Sequence, residues 1–117
     1  MADRIIFAGI GVLLIALGVP LARRRIRPNG WYGLRIPATF ADEQVWYEAN
    51  ALSGRDLMAV GSALIVVAIG LPHILRLSPR GYVYAYTAVL LGGMVGGAFR
   101  AWRMANQLWR ERREVVP

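Results

Sequence analysis

The chain has 117 residues, 56% of them hydrophobic, with a mean hydropathy of +0.41: the length of one domain, and an apolar content above that of a soluble globule. Its formal charge of +7 comes from fourteen arginines and no lysine, and it has no cysteine, which excludes disulfides and thiolate metal sites. A pI of 11.0 would suit nucleic acid, but the arginines flank apolar runs, where topology places them, so no direct nucleic acid contact is expected.

The first element is the uncharged run 5–22, "IIFAGIGVLLIALGVPLA". It is close to the ~20 residues a helix needs to cross a bilayer. Arg23, Arg24, Arg25 and Arg27 follow the run rather than precede it, the pattern of a stopped membrane anchor and not of a cleaved signal. "RPNG" then marks a turn. The segment 29–54 is mixed and aromatic. Thr39 with Asp42 three residues on reads as a helix start, and Val45, Trp46, Ala49 and Leu52 recur at helical spacing. These predict a short amphipathic helix over 40–52, ended by Gly54, lying on the membrane surface or against the ends of the spans. The runs 57–75 and 81–99 are again long and almost free of charge, His73 being the exception. The expected fold is therefore all-α: an integral membrane protein forming a single three-helix membrane domain over 1–117. It has three transmembrane helices, about 5–22, 57–75 and 81–99, and a short amphipathic helix in the cytoplasmic loop between helices one and two.

Counting arginines orients the chain. The N-terminus and the second loop carry Arg4, Arg76 and Arg80; the central loop and the tail carry the other eleven. Three against eleven predicts a multi-pass protein of the cell membrane with the N-terminus outside and the C-terminus cytoplasmic. The third span contains Gly92, Gly93, Gly96 and Gly97, two overlapping pairs at the spacing that lets helix backbones approach closely. Packing within the chain is the favoured reading; the alternative is a homo-oligomer seam.

Chemistry-bearing residues are few. Arg35, between Gly33 and Pro37, is either a planar fork that clamps a carboxylate or a lipid headgroup contact. Trp31, Tyr32, Trp46 and Tyr47 suit an interfacial aromatic belt. Asp42, Glu43 and Glu48 suit capping and the helix dipole more than acid–base or metal chemistry. His73 stands alone, so neither a metal site nor a Ser-His-Asp grouping is expected. No phosphate-binding loop follows a strand, and no charge lies deep in a span, so a cofactor, an enzyme and an ion pathway are all unexpected.

The stretch "NGWYGLRIPATFADEQVWYEANALSGRDLMAVG" resembles the signature of the SdpI family of bacterial membrane proteins. The pattern G-x-R-x-P-x-T, a later Trp, and Gly residues leading into a transmembrane helix falls on Gly33, Arg35, Pro37, Thr39, Trp46, Gly54 and Gly61. Asn29, Trp31 and Tyr32 form the lead-in. The resemblance implies a non-enzymatic protein for immunity or signalling. Its partners would be the lipid bilayer and a secreted hydrophobic peptide toxin, or a cytoplasmic repressor held at the membrane. The signature residues, Trp46 included, would then be a partner-binding surface. The alternative is a small accessory subunit or scaffold of a larger membrane complex.

Overall fold

The computed structural model describes residues 2–115, and the side chains of 4–114. Among the described residues the chain forms α1 (Ala2–Ala22), α2 (Pro37–Ala41), α3 (Glu43–Ile74) and α4 (Pro79–Val115). Three of these, α1, α3 and α4, are long and apolar enough to cross a membrane. Arginines bracket the apolar stretch of each: Arg4 and Arg23, Arg55 and Arg76, Arg80 and Arg100. At 1.5 Å per residue these intervals span about 28–32 Å, the thickness of a bilayer's hydrocarbon.

Helix α3 is the centre of the bundle, with α1 and α4 packed on it. The α1–α3 seam is made of glycine. Gly11 faces Gly61 and Gly18 faces Gly54. A Cβ on Gly11 would lie 2.6 Å from the Gly61 carbonyl oxygen, and one on Gly18 would lie 2.5 Å from that of Gly54. Both pairs are seven residues apart on their helices and run in opposite order, so the helices are antiparallel with a heptad register. Lipid tails give apolar helices no reason to associate, so backbone-close packing is what holds such a seam. On the other side of α3, Gly93 of α4 lies against Val60 and Gly97 against Asp56.

Near the α3–α4 turn, Phe7 stacks on Tyr86 at 4.5 Å and on Tyr82 at 5.6 Å between ring centroids. The Tyr86 hydroxyl donates to the Phe7 carbonyl at 2.7 Å and that of Tyr82 to Ala68 at 2.9 Å. Each phenol thus satisfies in protein a group that lipid could not.

One expected element is corrected. The segment 40–52 is not a separate helix ended by Gly54. A break at Asp42 divides it, α2 preceding and α3 running on unbroken through Gly54 into the span. Glycine inside a helix costs about 1 kcal/mol, and here α1 pressing on Gly54 makes any larger residue unfit. Thr39 does not cap α3; Asp42 does, its carboxylate accepting from the Gln44 N–H at 2.8 Å. Helix α4 runs from Pro79 to Val115, so it extends beyond the apolar run 81–99 at both ends. Proline at a first helical position lacks only an N–H that would have no intrahelical partner.

These long helices overhang the membrane at one end. The molecule extends 60 × 21 × 20 Å, about twice the hydrocarbon thickness. The overhanging parts of α3 and α4 form a head, closed by the α1–α3 connection and α2. Its core is Ala38, Val45, Ala49 and Ala105, with Leu34, Ile36, Leu108 and Trp109 packed around it.

Candidate functional site

The head is built from the end of α1 onward. The Arg25 N–H bonds back to Pro20 and the Arg24 N–H to Leu21, which terminates the helix with Arg24 in the left-handed region at φ 57°. The Asn29 side-chain oxygen then accepts from the backbone N–H groups of Trp31 (3.0 Å) and Tyr32 (2.7 Å), closing a tight turn. The Tyr32 hydroxyl donates to the Leu17 carbonyl and ties this turn to α1; burial pushes its pKa up.

Gly33 follows at φ +106°, and a Cβ there would stand 2.7 Å from the Asn50 side-chain oxygen. Asn50, buried on α3, is the knot of the head. Its oxygen accepts from the Leu34 N–H at 2.6 Å and its amide donates to the Trp46 carbonyl at 3.0 Å. Thr39 is buried too. Its hydroxyl accepts from the Ile36 N–H at 3.0 Å and lies 2.9 Å from the carbonyl oxygens of both Leu34 and Ile36. Trp46 is fully buried, its indole N–H donating 2.8 Å to the Ile26 carbonyl.

Charge closes the head on its outer side. Arg112 near the end of α4 pairs with Asp42 and also donates to the Gln44 side chain at 2.6 Å. The Arg112 hydrogen bond, opposed by partial burial, holds the Asp42 carboxyl below the usual range. Arg24 pairs with Glu48 at 2.7 Å. A groove of about 580 Å³ runs between these pairs, with Glu43 and Tyr47 in its wall. Lower down, Arg100 pairs with Asp56 at 2.8 Å across the α3–α4 contact.

The candidate residues thus separate into two sets. Thr39 and Trp46 are buried inside the head, Asn29, Tyr32 and Gly33 are half-buried in the loop over it, and Gly54 and Gly61 lie in the α1–α3 seam. Trp46, buried and bonded to Ile26, presents no face to a partner, which corrects its expected place on a contact surface. Trp31, 81% exposed, Arg35 and Pro37 lie on the outside. Arg35 donates to the Gly30 carbonyl and clamps no carboxylate among the described residues. In α4, Gly93 and Gly97 pack inward, whereas Gly92 and Gly96 meet nothing within 4 Å.

The model of the SdpI/YfhL protein family matches residues 25–99. The chain belongs to the SdpI family. The match covers the loop, α2, all of α3 and the membrane part of α4, which is the head's signature together with its scaffold. Searches of curated proteins and of solved structures found no match. Sequence reasoning on this SdpI family member missed Asn50, Gly11, Gly18 and the pairs Arg112–Asp42 and Arg100–Asp56. Asn50 had a signal: it stands one turn after Trp46 on a helix face that is otherwise apolar, where an amide needs a buried partner. The glycines had one as well, since their seven-residue spacing equals that of Gly54 and Gly61.

Proposed function

We propose that this chain is a non-enzymatic SdpI-type immunity or signalling protein that counters a hydrophobic peptide toxin or retains a cytoplasmic repressor at the membrane. The observation that carries the reading is the family match over residues 25–99, which takes in the loop and α2 of the head together with the α3 and α4 spans. Its internal signature residues form a rigid support, and that support presents Trp31 and Arg35 outward. The head lies in the cytoplasm and the α3–α4 turn outside; the imbalance of three arginines against eleven supports this orientation. Arg35 supplies a fixed, always-charged fork whose remaining N–H groups are free for a carboxylate on a partner. A second reading, an accessory subunit of a larger complex, is favoured by one feature: Gly92 and Gly96 leave an open, small-residue track on α4.

Expression in a toxin-sensitive host, with survival scored at matched membrane abundance, tests the proposal. Protection is expected from the wild-type chain and is lost in Arg35→Ala and Arg35→Lys, because Lys keeps the charge but not the fork. Protection by Arg35→Lys at the wild-type level removes the clamp. No protection by the wild-type chain, together with co-purification of a large assembly that Gly96→Leu abolishes, selects the accessory reading.

A further inference from the structure

The end of the bundle at the α3–α4 turn is basic like the head but, among the described residues, lacks the head's carboxylates. In the head and at its base, Arg24, Arg100 and Arg112 have Glu48, Asp56 and Asp42 as partners. At the turn end stand Arg4, His73, Arg76 and Arg80, and the sequence places no carboxylate in 4–22 or 57–99. The nearest acid, Asp3, has a side chain outside the described residues. Two grooves meet at Arg4. One, of about 380 Å³, lies between α1 and α3 and is lined by Ile5, Ala8 and Ile69, with Arg4 and His73 at its rim. The other, of about 310 Å³, runs under the turn past Arg76 and Tyr82.

The polarity of the first groove is that of an amphiphile. Ala8 is one helical turn deeper in the membrane than Arg4, and Ile69 one turn deeper than His73. The polar rim, with the Arg4 guanidinium in it, therefore sits where a span leaves the hydrocarbon, and the apolar floor faces the acyl layer. A guanidinium matches a phosphate with two parallel N–H bonds, an imidazole N–H can add a third donor, and an arginine at this depth with no described acid beside it draws its counter-charge from the surroundings. We infer that this end is a binding site for an anionic phospholipid, with its phosphate between Arg4 and His73 and an acyl chain in the α1–α3 groove. The inference is independent of the immunity reading and of which side of the membrane this end faces.

Native mass spectrometry of the full chain in detergent, titrated with phosphatidylglycerol or phosphatidylcholine, tests it. Wild type retains phosphatidylglycerol better by about tenfold, the scale of one charge-assisted contact. Arg4→Gln and His73→Gln lose that preference. Ile69→Trp, at a position already 52% exposed, fills the groove without touching the charges and also loses it. Arg55→Gln, at the far membrane edge, keeps it. Melting temperatures equal to wild type certify the variants as folded, and with two rim variants and one shape variant the test does not hang on a single fold. Equal retention of the two lipids overturns the site. Undiminished retention in both Arg4→Gln and Ile69→Trp overturns it as well, since binding then belongs to the arginines of the head. Displacement of phosphatidylglycerol by equimolar oleate assigns the groove to free fatty acid and overturns the phospholipid.

Discussion

At the scale of single residues, the head depends on polar groups that are expensive to leave unpaired. Asn50 satisfies one half-buried backbone N–H of the loop and one buried carbonyl of its own helix. Asn50→Leu keeps the volume but orphans the Leu34 N–H, and it is expected to cost about 1–3 kcal/mol, read as a lowered melting temperature in detergent. Gly33→Ala meets the same oxygen with a methyl group on a backbone where φ is +106°, so it is strained twice over. Combined with Asn50→Ala, the steric part of its penalty disappears and the backbone part remains; additive losses in the double variant would show that the two residues do not touch. Arg24 is the reverse case. An αL position after a helix prefers glycine by up to about 1 kcal/mol, and its exposed pair with Glu48 returns at most about the same. Arg24→Gly is therefore expected to leave stability unchanged or slightly raised.

At the scale of helices, glycine position rather than glycine count decides the packing. Gly61→Leu forces a side chain into the Gly11 carbonyl, and Gly93→Leu into Val60; each separates helices at a contact that cannot yield, at a cost of about 1–3 kcal/mol or more. Gly96→Leu extends into open space and leaves the melting temperature of the monomer unchanged. Equal losses for all three would mean that α4 is packed on a face other than the one seen. The three spans were legible in the sequence because a run such as 57–75 is uncharged for longer than any soluble helix requires. Their faces were not. Gly11 and Gly18 are embedded in uniformly apolar sequence, where hydropathy carries no information on direction, and only their match in spacing to Gly54 and Gly61 betrays the seam. Gly54 was misread as a break for the same reason: a local signal worth about 1 kcal/mol yields to a tertiary contact that needs the absence of a side chain. In the head, the capping and apolar-stripe patterns located a helix near the right place. The burial of Trp46 depends on a carbonyl twenty residues away at Ile26, which no local pattern encodes.

At the scale of the whole molecule, one charge contact joins the two ends of the head in sequence. Arg112 lies 70 residues from Asp42, and their pair fastens the distal part of α4 to the start of α3. The Asp42 carboxyl is held below its ordinary pKa, first by the Arg112 hydrogen bond. A depressed folded pKa means that the unfolded or undocked chain binds the proton more tightly. The contribution is therefore complete above the ordinary aspartate range near about pH 4, and it is lost as pH falls through the lower folded value. The two side chains are 39% and 22% exposed, so water and salt screen the pair, and its worth is about 1 kcal/mol at most. Acidification is expected to loosen the tail locally without unfolding the spans. Amide exchange across 105–114 should accelerate below that range while exchange in 57–70 stays slow, and high salt at neutral pH should produce part of the same effect. Asp42→Asn keeps a good helix cap but removes the charge, so its tail should exchange faster at neutral pH and show no further acid response. If the wild-type tail responds to acid and the Asn variant responds equally, the titrating group is another one, and Arg112 holds the tail through Gln44 alone.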